Sequence, residues 1–180
     1  MVARTRFDAD PCPVARSVNA IGDWWSLLIV RDAFDGSRRF GEFQRSLGIA
    51  KNILAARLRA LEKAGVLRGV PAPDGGSHRE YLLTDKGRAL FPVIVALRQW
   101  GEDQCFTPGE DHSRLLDRRT SRPLRRLQIR AADGRPVGPE DTVVEKLQET
   151  ERAETERGEK GKAEQERGAT EVSAEEGEGC

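Results

Sequence analysis

The fold of this chain is decided by residues 39–67, RFGEFQRSLGIAKNILAARLRALEKAGVL. Apolar residues at helical spacing predict one helix from Phe40 to Leu47 and a second from Ala50 to Lys63, with Gly48 in the turn between them. Residues 67–84 then predict two short strands around a flexible, glycine-rich tip. Helix, turn, helix, strand, loop and strand in this order are the elements of a winged helix-turn-helix.

Two further helices are predicted before this segment and one after it. The first runs from Pro13, which suits an initial helical turn, to about Ile21. Asp23 is a suitable N-cap for a helix from Trp24 to Phe34. After the strands, a long helix capped by Thr84 is expected to continue to about Cys105. Its apolar side is wider than one small domain is expected to cover, which favours a second subunit as the cover. That side consists of Leu90, Val93, Ile94, Leu97 and Trp100.

The predicted fold class is α+β and mainly helical. A chain of 180 residues suits one domain with additional segments. A small β-rich extension is expected because Leu124 to Ile129 and Thr142 to Val144 are candidate strands around a turn. The last residues contain almost no large apolar side chain and cannot bury enough surface to fold. The predicted regions are a flexible N-terminus (1–11), a winged helix-turn-helix domain with dimerisation helices (12–105), the extension (111–144) and a disordered charged tail (149–180).

Charge is distributed unevenly along the chain, although 30 basic and 30 acidic residues give a formal net charge of zero. Residues 145–180 contain 12 Glu and 6 Lys or Arg, a net charge of −6, so residues 1–144 carry +6. A basic body joined to an acidic tail is the asymmetry expected when the body meets phosphates.

Cysteine usage and hydropathy predict a cytoplasmic protein. The cysteines Cys12, Cys105 and Cys180 are too far apart in sequence for a CxxC pair, and their odd number does not suit a disulfide framework. The longest apolar-rich stretch, Ala89 to Leu97, contains Pro92 and is too short to span a bilayer.

The helix from Ala50 to Lys63 carries the main candidate binding residues. Three leucines form its apolar stripe, so the opposite face is available to a DNA major groove. On that face Lys51 could donate to guanine or phosphate, Asn52 could form two hydrogen bonds with adenine, and Arg59 would hold phosphate. Ala55, Ala56 and Lys63 are expected on the same face. The alternative is a solvated helix face that binds nothing.

Other basic residues near this helix are weaker candidates. Arg57 lies at the edge of the apolar stripe and either reaches phosphate or pairs internally with a carboxylate; both alternatives stay open. Arg38 and Arg39 could hold backbone oxygens next to the amides of a helix N-terminus, or could be solvated. His78 and Arg79, beside the glycine-rich tip, predict a contact of the wing with the DNA backbone.

Short motifs follow one another in a fixed order from the first helix to the last. They are Cys12-Pro13-Val14, Ile21-Gly22, Trp24-Trp25-Ser26-Leu27-Leu28-Ile29, Arg39-Phe40-Gly41-Glu42-Phe43, Gly48 to Leu54, Arg57-Leu58, Leu61-Glu62, Gly65-Val66-Leu67 and Tyr81 to Gly87. In this order the chain resembles the HxlR-type winged helix-turn-helix regulators over about residues 12–100. The resemblance implies a homodimeric bacterial transcription factor whose terminal helices pair the subunits and whose two recognition helices read a palindromic site.

The resemblance also draws attention to Cys12, because several members of that family place a redox-sensing thiol just before the first helix. A helix N-terminus favours the reactive thiolate. The alternative is an inert, partly buried cysteine, since a second thiol partner is not obvious: Cys105 is expected to be buried at a helix end and Cys180 ends the tail.

No catalytic or metal-binding set of residues is expected. The only histidines, His78 and His112, cannot form a His-based triad with a nearby nucleophile, and the glycine-rich segments do not follow a strand and open a helix as phosphate loops do. His112 alone cannot hold zinc, which takes four ligands in a structural site. The sequence therefore predicts neither an enzyme nor a cofactor.

Together these features predict a homodimeric, sequence-specific regulator of transcription that binds double-stranded DNA at a palindromic operator. Repression is favoured over activation, and an oxidant or a small molecule is a candidate signal. The rival hypothesis is a winged-helix protein-interaction module whose acidic tail recruits partners. Salt dependence distinguishes the two, because DNA binding through several phosphates weakens steeply as salt increases.

Overall fold

The computed structural model describes residues 7–73 and 79–146. Within these residues a bundle of helices carries one two-stranded antiparallel sheet. The elements are α1 (Pro13–Ile21), α2 (Trp24–Phe34), α3 (Phe40–Leu47), α4 (Lys51–Lys63), β1 (Leu67–Pro71), β2 (Arg79–Leu83), α5 (Asp85–Arg88), α6 (Phe91–Gln104) and a 3₁₀ turn (Pro139–Asp141). None of the helices in the described residues is long and apolar enough to cross a membrane.

The predicted starts of α1 and α2 are confirmed by the residues at their N-termini. Pro13 occupies the first turn of α1, where its missing N–H costs no hydrogen bond. Asp23 accepts hydrogen bonds from the N–H groups of Trp25 and Ser26, at 3.1 and 3.3 Å. Helix α4 begins one residue later than predicted, because Ala50 has extended backbone angles and is the cap position. Gly48, with φ of +61°, adopts the left-handed conformation that glycine favours.

The core is formed where α2, α3 and α4 meet. Its largest fully buried side chains include Phe43 of α3, Ile29 of α2 and the three leucines of the α4 stripe, Leu54, Leu58 and Leu61. Full burial of such a side chain is worth roughly 1.5–3 kcal/mol relative to exposure. The predicted apolar stripe of α4 is therefore confirmed, and it fixes which face of α4 remains outside.

The wing is attached directly to the start of α3. In the sheet, Leu67 lies opposite Leu83 and Gly69 opposite Tyr81. The Tyr81 N–H donates to the carbonyl of Arg38 at 2.8 Å, and Arg39 forms a bridge with Glu80. The strands thus hold a fixed position against the helix-turn-helix. The predicted tip at Gly75-Gly76 lies outside the described residues.

The prediction of one long helix after the wing is wrong. Thr84 caps α5, as predicted, by accepting from the Gly87 N–H at 3.0 Å, but α5 ends at Arg88 and α6 begins at Phe91. Pro92 is the reason. Proline has no N–H for the helical ladder and its ring clashes with the carbonyl four residues earlier, so it is accommodated only in the first turn of a new helix.

The predicted strands Leu124 to Ile129 and Thr142 to Val144 are also absent from the described residues, where only isolated bridges join Leu116 with Pro123 and Arg130 with Pro136. Apolar side chains of these segments remain exposed: Leu127 is 48% and Ile129 71% exposed. A strand forms only when burial of one face offsets the conformational entropy lost on ordering it. The described residues divide into two compact units between Gln128 and Ile129, inside the predicted extension. The predicted tail, 149–180, lies outside the described residues.

Candidate nucleic-acid interface

The first turn of α4 presents polar and apolar side chains to solvent. Lys51 and Asn52 are exposed, and Ile53 is 38% exposed. The cap residue, Ala50, has no side-chain acceptor, so the amides of this turn are available to an acceptor from outside. Sequence reasoning missed Ile53. Its position off the leucine stripe, one residue before Leu54, is the signal that indicates it.

Further along α4, Arg59 and Lys63 are exposed on the same outer side. In the part of the chain that the structure describes, no carboxylate pairs with Lys51, Arg59 or Lys63. No carboxylate of these described residues neutralises their charges. Of the two alanines predicted on this face, Ala56 is exposed and Ala55 is half-buried.

Arg57 is paired internally, which is the second of the two alternatives left open by the sequence. Its Nη2 atom lies 3.0 Å from Oδ2 of Asp23. Because Oδ1 of Asp23 caps α2, one carboxylate joins the start of α2 to the middle of α4. Both side chains are less than one-third exposed. The Arg57–Asp23 pair therefore ties α4 to α2.

At the start of α3, backbone N–H groups are bound by a carboxylate of the same helix. The carboxylate of Glu42 accepts from the backbone N–H groups of Arg38 and Arg39, at 2.7 and 2.9 Å, and these two hydrogen bonds lower the pKa of Glu42. The backbone N–H groups of Arg38 and Arg39 are thus already satisfied by a carboxylate. The Arg39 side chain reaches Oε1 of buried Glu80 at 3.3 Å, while that of Arg38 is exposed.

Arg79 lies across the wing towards α4. Its guanidinium is 2.8 Å from Oε1 of Glu62 and 5.9 Å from the centre of the Tyr81 ring. It passes directly over Gly69, where a Cβ atom would come within 2.0 Å of Arg79 Nε. Gly69 therefore provides the space for this pair, which links β2 with the recognition-helix candidate. The second predicted wing residue, His78, lies outside the described residues.

A second cationic surface follows α6, and no motif predicted it. Residues 114–126 contain six Arg and one Asp. Gln99 of α6 holds this segment through the Leu127 N–H and the Arg125 carbonyl, at 2.8 and 3.1 Å, and Arg126 pairs with Asp103 at 2.6 Å. The others are exposed and, among the described residues, have no carboxylate partner: Arg114, Arg118, Arg119, Arg122 and Arg125. A count of Arg over short windows is the signal that reveals the surface.

The cysteines that the structure describes are both exposed. Cys12 is the cap residue of α1, and its N–H donates to Oδ1 of Asp10 at 2.8 Å. Cys105 follows α6 and is exposed, so the expectation that it would be buried is wrong. Among the described residues, no group of three or more His, Cys, Asp or Glu is arranged to hold a metal ion.

Known proteins match the region that contains these elements. The model of the HxlR-like helix-turn-helix family matches residues 20–108. An uncharacterised HTH-type transcriptional regulator of Mycobacterium tuberculosis is 44% identical over 103 residues, which are 57% of this chain and 64% of that relative. The match thus spans less than two thirds of the relative's length. Another, from Synechocystis sp., is 35% identical over 109 residues, 56% of this chain and 81% of that relative.

One solved structure resembles more of the chain. The crystal structure of PA1607, described as a candidate transcription factor, has a TM-score of 0.75 and 61% sequence identity, and the match covers 78% of this chain and 99% of that one. This share is larger than the segment matched by the family model. The structural likeness therefore extends beyond the helix-turn-helix region itself.

Proposed function

This chain belongs to the HxlR-like helix-turn-helix family, and we propose that it is a sequence-specific DNA-binding regulator of transcription. The observation that carries the proposal is the first turn of α4. It is uncapped, it is fixed from behind by the buried leucine stripe, and it presents Lys51 and Asn52 to solvent. Side chains in the N-terminal half of such a helix reach base edges when the helix enters a major groove.

Each exposed residue of α4 has a role suited to its chemistry. Asn52 forms two hydrogen bonds with adenine, and Lys51 donates to guanine or to phosphate. Ile53 packs against a thymine methyl group, the apolar feature of the major groove. Arg59 and Lys63, unpaired within the described residues, hold phosphates and set the register of the helix on the duplex.

Two ion pairs support this geometry from within the domain. Asp23–Arg57 ties α4 to α2, and Glu62–Arg79 ties α4 to the wing. Both pairs leave the first turn of α4 untouched. The proposed interface is therefore the exposed part of α4 together with Arg38 and the wing, and Arg57 is excluded from it.

We also propose that the regulator is a homodimer. Helix α6 exposes Val93, Leu97 and Trp100, the last 62% exposed, and α1 exposes Val14 and Val18. An exposed apolar face of this extent is typical of an interface between subunits. A twofold dimer presents two copies of α4, which matches a palindromic operator. Repression is the proposed mode because it needs only occupancy of the operator, whereas activation needs a further contact with the polymerase. A redox role of Cys12 stays a prediction.

The test is the specificity of Asn52→Ala. We expect this variant to lose about 1–3 kcal/mol of affinity for the preferred operator, selected from genomic fragments with the purified protein, and to keep its affinity for random duplex. Gln104→Ala, an amide truncation at an exposed position of α6, is the matched control and should change neither affinity. Titrations of labelled duplexes at several salt concentrations measure both quantities.

Two outcomes would contradict the proposal. Equal losses of Asn52→Ala on operator and random duplex would remove Asn52 from base reading. An affinity for DNA that is negligible at low salt, or that hardly changes as salt increases, would remove the phosphate contacts. That second result would favour a winged-helix module that binds another protein.

A further inference from the structure

A cavity of about 260 Å³ lies between α2, α6 and the chain that follows α6. Its walls are mainly apolar: Leu27 and Leu28 come from α2, Ile94 and Leu97 from α6, and Phe106 from the following segment. No residue of α4 or of the wing strands lines this cavity.

Gly101 forms part of the cavity wall from within α6. Its φ is not positive, and a Cβ atom added there would meet no atom within 4 Å. Packing within the described residues therefore does not require glycine, which is the residue least suited to a helix interior after proline. Because Gly101 lines the cavity, we expect a large side chain at this position to reduce the open volume of the cavity.

The charged groups around the cavity are already compensated by partners. Nη2 of Arg31 lies 2.7 Å from Oδ1 of buried Asp32, and Nη1 of Arg98 donates to the carbonyl of Ser113 at 2.8 Å. Glu102 lies 3.3 Å from Nη1 of Arg126. An occupant with a net charge would find no unpaired counter-charge among these lining groups, so any part of its charge that is removed from water is costly to place there.

The segment after α6 is fixed over the cavity by its own contacts. Besides the bond from Arg98, the Nδ1 atom of His112 donates to the Ser113 carbonyl at 3.1 Å, and the rings of Phe106 and His112 pack with centres 4.9 Å apart. The wall formed by Phe106 and His112 is thus aromatic.

We propose that this cavity binds an uncharged, cyclic, mainly apolar molecule. A cavity of about 150 Å³ lined by Leu, Ile and Phe side chains takes up benzene. The cavity of about 260 Å³ accordingly accommodates roughly ten non-hydrogen atoms, the size of a substituted monocyclic or a small bicyclic aromatic compound.

The molecule acts as a signal through α2, and this second step rests on the proposed DNA-binding function. Helix α2 supplies one wall of the cavity and also, through its cap Asp23, holds Arg57 of α4. A ligand that shifts α2 against α6 therefore changes the support of α4. Ligand binding itself does not depend on DNA binding, so the two are measured separately.

The experiment compares acetophenone with benzoate, which have the same number of non-hydrogen atoms and differ in charge. Saturation-transfer NMR on the full chain without DNA should show saturable binding of acetophenone at about millimolar concentration or below, and binding of benzoate weaker by roughly tenfold. Methyl shifts at Leu28 and Ile94 locate the site without any variant. The same titrations on Gly101→Leu should show acetophenone affinity reduced by roughly tenfold or more, because leucine fills the cavity.

Gly101→Ala is the matched control, since it makes the same gain in helix propensity without filling the volume; it should bind acetophenone within about threefold of the natural chain. The proposal is overturned if acetophenone does not bind saturably, if benzoate binds as well, or if Gly101→Leu leaves the affinity unchanged. Absence of binding together with dimer dissociation in Gly101→Leu would assign the cavity to a side chain of a second copy. Binding without any effect on operator affinity would keep the site and remove only its role as a signal.

Discussion

The winged domain, residues 13–104, and the segment that follows it, residues 105–146, differ in how well the apolar pattern of the sequence predicts their secondary structure. In the winged domain, apolar residues recur at helical spacing and are buried, as Leu54 and Leu58 are. In the following segment the apolar residues Leu127, Val143 and Val144 are exposed, and the described backbone forms bridges and turns instead of strands. The difference teaches that a short strand pattern does not form a strand where no partner surface buries its apolar residues.

The largest expected effect is a difference between the two regions in how much a leucine truncation lowers the free energy of unfolding. Leu58→Ala should lower the free energy of unfolding by about 2–5 kcal/mol, because it leaves a cavity where α2 and α4 meet. Leu127→Ala, the same truncation in the following segment, should change it by no more than about 0.5 kcal/mol. Urea unfolding followed by circular dichroism measures both. Equal losses would show that the following segment shares the core, and the comparison would fail.

The second effect concerns apolar residues that both regions expose. Val93→Glu should raise the dissociation constant of the proposed dimer by roughly tenfold or more, because it would bury an unpaired carboxylate in the interface. Val143→Glu, on a residue that is also exposed, should leave the dissociation constant unchanged. Sedimentation equilibrium gives these constants. A dimer weakened by Val143→Glu alone would move the interface to the following segment.

The smallest effect concerns two carboxylates whose pKa values are both lowered. Glu42 accepts from two backbone amides at the start of α3, and Glu110 accepts from the N–H and the hydroxyl of Thr107, at 3.0 and 2.9 Å. A folded-state pKa below the unfolded value gives stability that is present above the unfolded pKa and is lost as pH falls through the folded pKa.

Glu42→Gln should therefore make unfolding slightly less dependent on pH in the acid range, since Glu42 belongs to the cooperative winged domain. Glu110→Gln should leave the pH dependence as it is, because its turn is exposed and can open locally. Thermal unfolding temperatures of the natural chain and both variants, measured from neutral to acid pH, show the difference. A larger effect from Glu110→Gln would indicate that the turn at residues 107–110 unfolds together with the core.

The sequence predicted helix bounds and buried faces correctly where a local signal, such as a cap residue, agreed with the apolar pattern. Asp23, placed before an apolar run, predicted the start of α2, and the leucine spacing predicted which face of α4 is buried. It was insufficient where one residue outweighed a pattern. Pro92 divided an otherwise continuous apolar helix into α5 and α6.

Among the candidate site residues, the exposure of Lys51, Asn52 and Arg59 followed from helical periodicity. The partners of Arg57 and Arg79 did not, because Asp23 and Glu62 come close to them only through the packing of α4 against α2 and the wing. Long-range pairing of charges depends on tertiary geometry, and no local pattern specifies it. Whether a basic side chain is free to meet a ligand was therefore the least predictable property of the site.

Asp23 has a consequence for how this family member can change in evolution. Serine and asparagine cap helices about as well as aspartate, but only the aspartate carboxylate combines the cap on α2 with a charge for Arg57. A drift to asparagine would keep the helix intact while loosening the angle at which α4 is presented. Position 23 must therefore both cap α2 and carry the negative charge that pairs with Arg57. Serine or asparagine, which would be neutral at an ordinary cap position, would keep the cap and lose the ion pair.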